Sequence, residues 1–147
     1  MEREVKTYQH KVQYYETDQM GVVHHSNYIR WMEEARVDFL EQIGWNYDKL
    51  ESMGILSPVT AAECRYKVST RFPEVVSIRV SVEEFKGIKL KLKYEMYRED
   101  TLVSEGRTEH CFIDAQGKIV RLKKECSQLN ELLTGLALQG VEGERAK

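Results

Sequence analysis

The sequence is poor in cysteine and proline and has no long apolar run. Its three cysteines, Cys64, Cys111 and Cys126, form an odd, scattered set. That excludes a disulfide framework, and no C-x-x-C pair offers a zinc knuckle. The two prolines, Pro58 and Pro73, open no linker. No stretch approaches the ~18 consecutive apolar residues of a spanning helix. The first residues lack the apolar core of a secretory signal. Neither charge sign dominates: 22 Lys plus Arg face 24 Asp plus Glu, a net charge of −2. A general nucleic-acid binder would concentrate basic charge, so that class is excluded. Repeats, low-complexity tracts, a P-loop, G-x-G-x-x-G, H-E-x-x-H and G-x-S-x-G are all missing, which removes the commonest nucleotide-binding, zinc-protease and serine-hydrolase readings. The expected protein is cytoplasmic, without stable membrane insertion.

What is present suits one domain over residues 1–147. Of 147 residues, 41% are hydrophobic and 31% charged, enough to build one core. Residues 5–15, rich in Val and Tyr, read as a strand, and 16–21 as a turn. From Tyr28 the period changes: Met32, Ala35, Phe39 and Ile43 follow at helical spacing. Arg30, Glu33, Glu34, Asp38 and Glu41 take the other side, and Arg36 lies beside the apolar stripe. This predicts an amphipathic helix over 28–43, about 24 Å long. Asn27 is the expected N-cap and Gly44 the left-handed stop. A short helical piece (47–53) and a strand (55–70) follow. Period-two alternation then marks strands over 76–83 and 88–96, with a turn at 85–87. A further strand (102–114), a short helix around Leu129 to Leu136 and a frayed tail complete the chain. Strand, long helix, then antiparallel strands read as α+β, one helix against one curved sheet. The exposed sheet edges favour a dimer.

The informative stretch is Asp18-Gln-Met-Gly21-Val-Val-His24-His25-Ser-Asn27-Tyr28, where a strand gives way to the long helix. A helix start offers free N–H groups and partial positive charge, which polarise a carbonyl. A nearby carboxylate can attack that carbonyl or activate water. Acyl transfer or hydrolysis is one reading of these residues. The other is that Asp18 caps a turn and Gly21 bends it. A metal site from Glu16, Asp18, His24 and His25 lacks ligand spacing, so no metal is expected. Cys111 and His110, neighbours on a strand, point to opposite faces, so Cys111 reads as a small core residue. Cys64 reads the same way. Glu33 and Glu34 read as a solvated face paired with Arg30 and Arg36.

The segment resembles the signature of the 4-hydroxybenzoyl-CoA thioesterase family: an aromatic residue, a D-x-x-G-h-h-x-H/Y-x-N-Y run, then E-x-A-R on a helix, here Glu33-Glu34-Ala35-Arg36. The resemblance covers roughly residues 5–125 and implies a hot-dog fold of about five strands, homodimers or homotetramers, and hydrolysis of acyl-CoA with no cofactor. Acyl-carrier-protein thioesters are also substrates of similar proteins. It implies that Asp18 is the catalytic carboxylate, as nucleophile or general base. The backbone N–H of His25 would polarise the thioester carbonyl, and Gly21 would let the chain come close. Lys86 and Lys89, at the middle turn, would match the basic residues that hold CoA phosphates. Two rivals use the same fold: an enoyl-thioester hydratase or dehydratase, whose D-x-N-P-x-H pattern is absent here, and a non-catalytic acyl-thioester-binding module.

Overall fold

The computed structural model describes residues 5–145, and side chains as far as Gln139. Its elements are β1 (Tyr8–Lys11), α1 (Ser26–Gln42), α2 (Tyr47–Ser52), β2 (Val59–Tyr66), β3 (Val75–Phe85), β4 (Leu90–Arg98), β5 (Thr101–His110), α3 (Leu122–Glu125) and α4 (Ser127–Arg145). The strands form one antiparallel sheet in the order β1-β3-β4-β5-β2.

Alternation sets the sheet's inner face. Ile78 lies opposite Met96, Val80 opposite Tyr94 and Val82 opposite Leu92, and all six are buried. Between them, outward residues form an ionic ladder: Lys91 pairs with Glu84 and Glu109, and Arg107 with Glu83 and Glu105. Such half-exposed pairs add little stability. Helix α1 lies on the inner face through Tyr28, Trp31, Met32, Ala35 and Phe39, as the stripe requires. The approach is close enough to demand glycine on β5. A Cβ on Gly106 would sit 2.5 Å from Met32 Sδ and 3.0 Å from the Glu63 carbonyl oxygen.

The helix ends as its sequence implies. Gly44 has φ +84, and the N–H groups of Gly44 and Trp45 bond the carbonyls of Glu41 and Leu40, a Schellman stop. Its start differs. Asn27 lies inside α1, and its Nδ2 donates to the carbonyls of Glu16 and His24. With two carbonyls facing it, the amide serves as a donor tying the preceding loop to the helix, not as a cap. Arg36 is also not part of a solvated face. It is buried, with Nε on the Tyr47 hydroxyl and Nη1 on that of Tyr94.

Three strand expectations shorten. After β1 the chain makes a 3-10 turn at Tyr14–Glu16, because the Glu16 carboxylate captures the Gln13 N–H at 2.8 Å. Residues 55–58 leave only a bridge between Leu56 and Ile113, which itself lies beyond the end of β5. The C-terminal helix is longer than expected: α4 buries Leu129, Leu133 and Leu136 and packs against β3. Of the expected frayed tail, residues 146–147 lie outside the described residues. Cys64 and Cys111 are both half-buried; Cys64 packs against the core from the sheet's edge strand. Strand β2 is exposed along almost its whole length and, with β1, forms an edge of the sheet.

Candidate active site

The loop between the 3-10 turn and α1 is held from below by one buried acid. Glu16 Oε1 accepts from Gln13 N–H at 2.8 Å and from His10 Nε2 at 2.9 Å, and Oε2 accepts the Trp31 indole N–H at 2.7 Å. Its backbone carbonyl takes His24 N–H and Asn27 Nδ2. Burial pushes the Glu16 carboxyl pKa up, but the bonds from Gln13, His10 and Trp31 outweigh burial and leave it lowered. Glu16 is therefore an ionised anchor with both oxygens engaged, a role the sequence reading missed.

Above it, residues 17–23 make a narrow hairpin. Thr17 bridges Val23, Asp18 N–H donates to the Val22 carbonyl, and Gly21 N–H donates to the Asp18 carbonyl at 3.0 Å. Gly21 has φ +78, and Arg71 Nη1 lies 3.5 Å from where its Cβ would be. A side chain here would be strained in backbone, while its Cβ would make only an ordinary contact with the arginine. The Asp18 side chain is half-buried. Oδ1 accepts the Met20 N–H at 2.8 Å, so Asp18 does brace its own turn. Its second oxygen takes no part in that bond.

The hairpin delivers the chain to the start of α1. There Ser26 N–H is taken by His24 Nδ1, Asn27 N–H by the His24 carbonyl and Tyr28 N–H by the His25 carbonyl. The His25 N–H takes part in none of these bonds. The His25 ring is exposed and stacked on His24 at 4.2 Å, edge-on to Tyr66. The Tyr66 hydroxyl donates to the His25 carbonyl at 3.3 Å, fixing the direction of this peptide. Tyr66 and Arg71 come from a segment over forty residues downstream, linked to the loop by the Val23 N–H to Thr70 carbonyl bond. Only the fold brings them here. Exposed Tyr14, Tyr15, Met20 and Phe72 supply apolar surface on the same segments, with Tyr14 edge-on to Phe72 at 5.8 Å.

Asp18, Gly21 and His25 thus share one hairpin and helix start. Lys86 and Lys89 do not join them. They sit at the β3–β4 turn, paired with Glu84 and Glu109. The hairpin end of β3 is near Val75, where Glu74 accepts from Val12 N–H. Ten residues of strand, about 33 Å, separate the two ends.

A family model described as "Thioesterase-like superfamily" matches residues 12–132. A provisionally named esterase of Aquifex aeolicus is 39% identical over 118 residues, covering 80% of this chain and 91% of the relative. A provisionally named acyl-CoA thioesterase of Bacillus subtilis, YneP, is 32% identical, covering 78% and 84%. The solved structure of a DHNA-CoA thioesterase from Staphylococcus aureus superposes with TM-score 0.88 at 33% identity, covering 94% of both chains. The matched segment holds the hairpin, α1 and strands β2 to β5, and on that ground the chain belongs to the thioesterase-like superfamily, a thioester hydrolase of the hot-dog fold.

Proposed function

We propose that the chain hydrolyses acyl-CoA at the 17–25 hairpin, with Asp18 as the reacting carboxylate and the His25 N–H as oxyanion donor. One observation carries this reading: an under-bonded carboxylate and an uncommitted helix-start N–H lie on the same hairpin. The thioester oxygen docks at the His25 N–H, where the helix dipole favours developing negative charge. Asp18 either takes a proton from water as the water attacks the carbonyl carbon, or attacks that carbon itself to give a mixed anhydride that water then opens. In both routes the C–S bond breaks, CoA leaves as thiolate, and the acyl group ends as a carboxylic acid. A thiol pKa near 8.5 makes the thiolate a leaving group that needs no strong general acid.

The exposed β2 edge supports assembly as a homodimer or homotetramer through a second copy. In such an assembly Lys86 and Lys89 reach CoA phosphates from the partner's hairpin, since about 33 Å separates them from the site in their own chain. The cytoplasm is the proposed compartment, and acyl-carrier-protein thioesters are proposed as further substrates. No described helix is long and apolar enough to cross a membrane.

The test is thiol release from a panel of acyl-CoAs by wild type and Asp18→Asn. Activity in the wild type and a loss of at least about 100-fold in the variant support the reading. An active Asp18→Asn would remove Asp18 from the chemistry. Dehydration or hydration of an enoyl-CoA without thiol release would move the protein to the hydratase class.

A further inference from the structure

Arg71 stands beside the hairpin, and its backbone is fixed from both sides. Thr70, fully buried, gives its carbonyl to the Val23 N–H at 2.9 Å, and its hydroxyl bonds that of Tyr28 at 2.7 Å. Glu74 Oε1 takes the Arg71 N–H at 2.6 Å, and the Arg71 carbonyl takes the Glu74 N–H at 2.9 Å. The segment is thereby tied to the hairpin and to α1. Arg71 Nη1 lies 3.5 Å from where a Gly21 Cβ would be, the only approach within 4 Å apart from the neighbouring residues. The Gly21 N–H bonds the Asp18 carbonyl, closing a turn whose ends lie within ~7 Å of each other. The guanidinium is then no more than about 12 Å from the Asp18 Cα.

This guanidinium is exposed and uncommitted. Among the described residues no carboxylate or carbonyl bonds it. Glu74, the nearest acid along the chain, faces the Arg71 N–H and Arg98 Nη1 instead. Water satisfies such a group until a substrate seated at the hairpin displaces it. An acyl group without an acceptor then leaves a cation desolvated and unpaired, which costs binding. A hydroxyl or carboxylate oxygen replaces the water, the carboxylate through both arms of the guanidinium fork. A carboxylate also faces the negative charge of Asp18, and Arg71 offsets that repulsion. The CoA phosphates lie at the far end of the pantetheine arm, whereas the acyl group begins at the carbon under attack. The acyl group is therefore the nearer source of an acceptor. Exposed Tyr14 and Phe72, edge-on at 5.8 Å, supply apolar surface for the rest of it.

Resting on the hydrolytic reading, we propose that Arg71 is a specificity-determining residue: its guanidinium binds an oxygen acceptor, carboxylate or hydroxyl, on the acyl group. The preferred substrates are acyl thioesters that carry such an oxygen.

The test uses matched pairs of thioesters: glutaryl-CoA against valeryl-CoA, and hydroxybenzoyl-CoA against benzoyl-CoA. Thiol release is followed for wild type, Arg71→Met and Arg71→Lys. In the wild type, kcat/KM should favour the acceptor-bearing member of one pair by about 10-fold or more. The responding pair tells carboxylate from hydroxyl. Arg71→Met should bring that ratio to within about twofold of one, and Arg71→Lys should retain part of it. A wild type without preference, or a preference that survives in Arg71→Met, overturns the proposal. An equal loss on every CoA ester, absent with the corresponding S-acyl pantetheines, would assign Arg71 to the CoA phosphates and overturn it as well. Calorimetric Kd ratios for the same pairs, in wild type and Arg71→Met, read the contact without turnover. A chain that releases no thiol loses the hydrolytic reading, and those ratios still decide whether Arg71 binds the acyl oxygen.

Discussion

Glu16 and Asp18 are two residues apart and are bonded in opposite ways. Glu16 is 4% exposed and fully engaged by His10, Gln13 and Trp31. Asp18 is half-buried and spends one oxygen on the Met20 N–H. A carboxylate that accepts three bonds through both oxygens is held ionised and contributes to stability. One with an oxygen in reserve is free to meet a substrate. Hydrogen-bond accounting separates an anchor from the proposed reagent, where residue type and sequence distance would treat them alike.

Exchanging the two losses breaks the comparison if it is wrong. Asp18→Asn should lose at least about 100-fold in kcat/KM while its Tm moves by no more than about 2 °C. Glu16→Ala strands the Gln13, His10 and Trp31 donors. It should cost roughly 2–4 kcal/mol, a Tm fall of about 5–12 °C in calorimetry. Loss of activity in Glu16→Ala with unchanged Tm would reverse the two roles.

Acid sharpens the picture because the buried groups titrate in different windows. Burial, and then the nearby Arg36 charge, depress His110 to about 4. An unfolded histidine near 6.5 binds a proton that the folded ring refuses. Stability therefore falls as pH drops from about 6.5 to about 4, by roughly 3 kcal/mol from this group. The Glu16 carboxyl is lowered, so its contribution is intact above the unfolded carboxylate value and is lost only as pH falls through its lower folded one. Urea melts across pH 4–7 should show the histidine phase first, and His110→Phe should flatten that phase alone.

Gly106→Ala probes the seat of α1 rather than its loop. The added methyl meets Met32 and the Glu63 carbonyl, and the expected cost is about 1–3 kcal/mol, read by denaturant unfolding. The smallest effect belongs to His25→Ala. If the donor is the backbone N–H, kcat/KM should stay within about threefold. A fall of two decades would mean that the imidazole itself acts on the substrate.

Much of this molecule was determined locally. The 3.6-residue stripe of α1 and the two-residue alternation of β3 and β4 follow from side-chain direction in each element, and they specify the helix-on-sheet class. The Asp18–Tyr28 run marks the candidate site because hairpin, glycine and helix start are contiguous in the chain. Tertiary structure alone decided the rest. The Glu16 anchor needs His10 and Trp31 from two separate elements. Tyr66 reaches the loop from the end of β2 and Arg71 from just beyond it, and Lys86 ends a strand's length away. Arg36, on a helix full of charge, turned inward because Tyr94 and Tyr47 met it there. Periodicity reports which face of an element is buried. It carries no record of which distant polar group will be waiting on the other side, and hydrogen-bond partners across a core are chosen only when the elements pack.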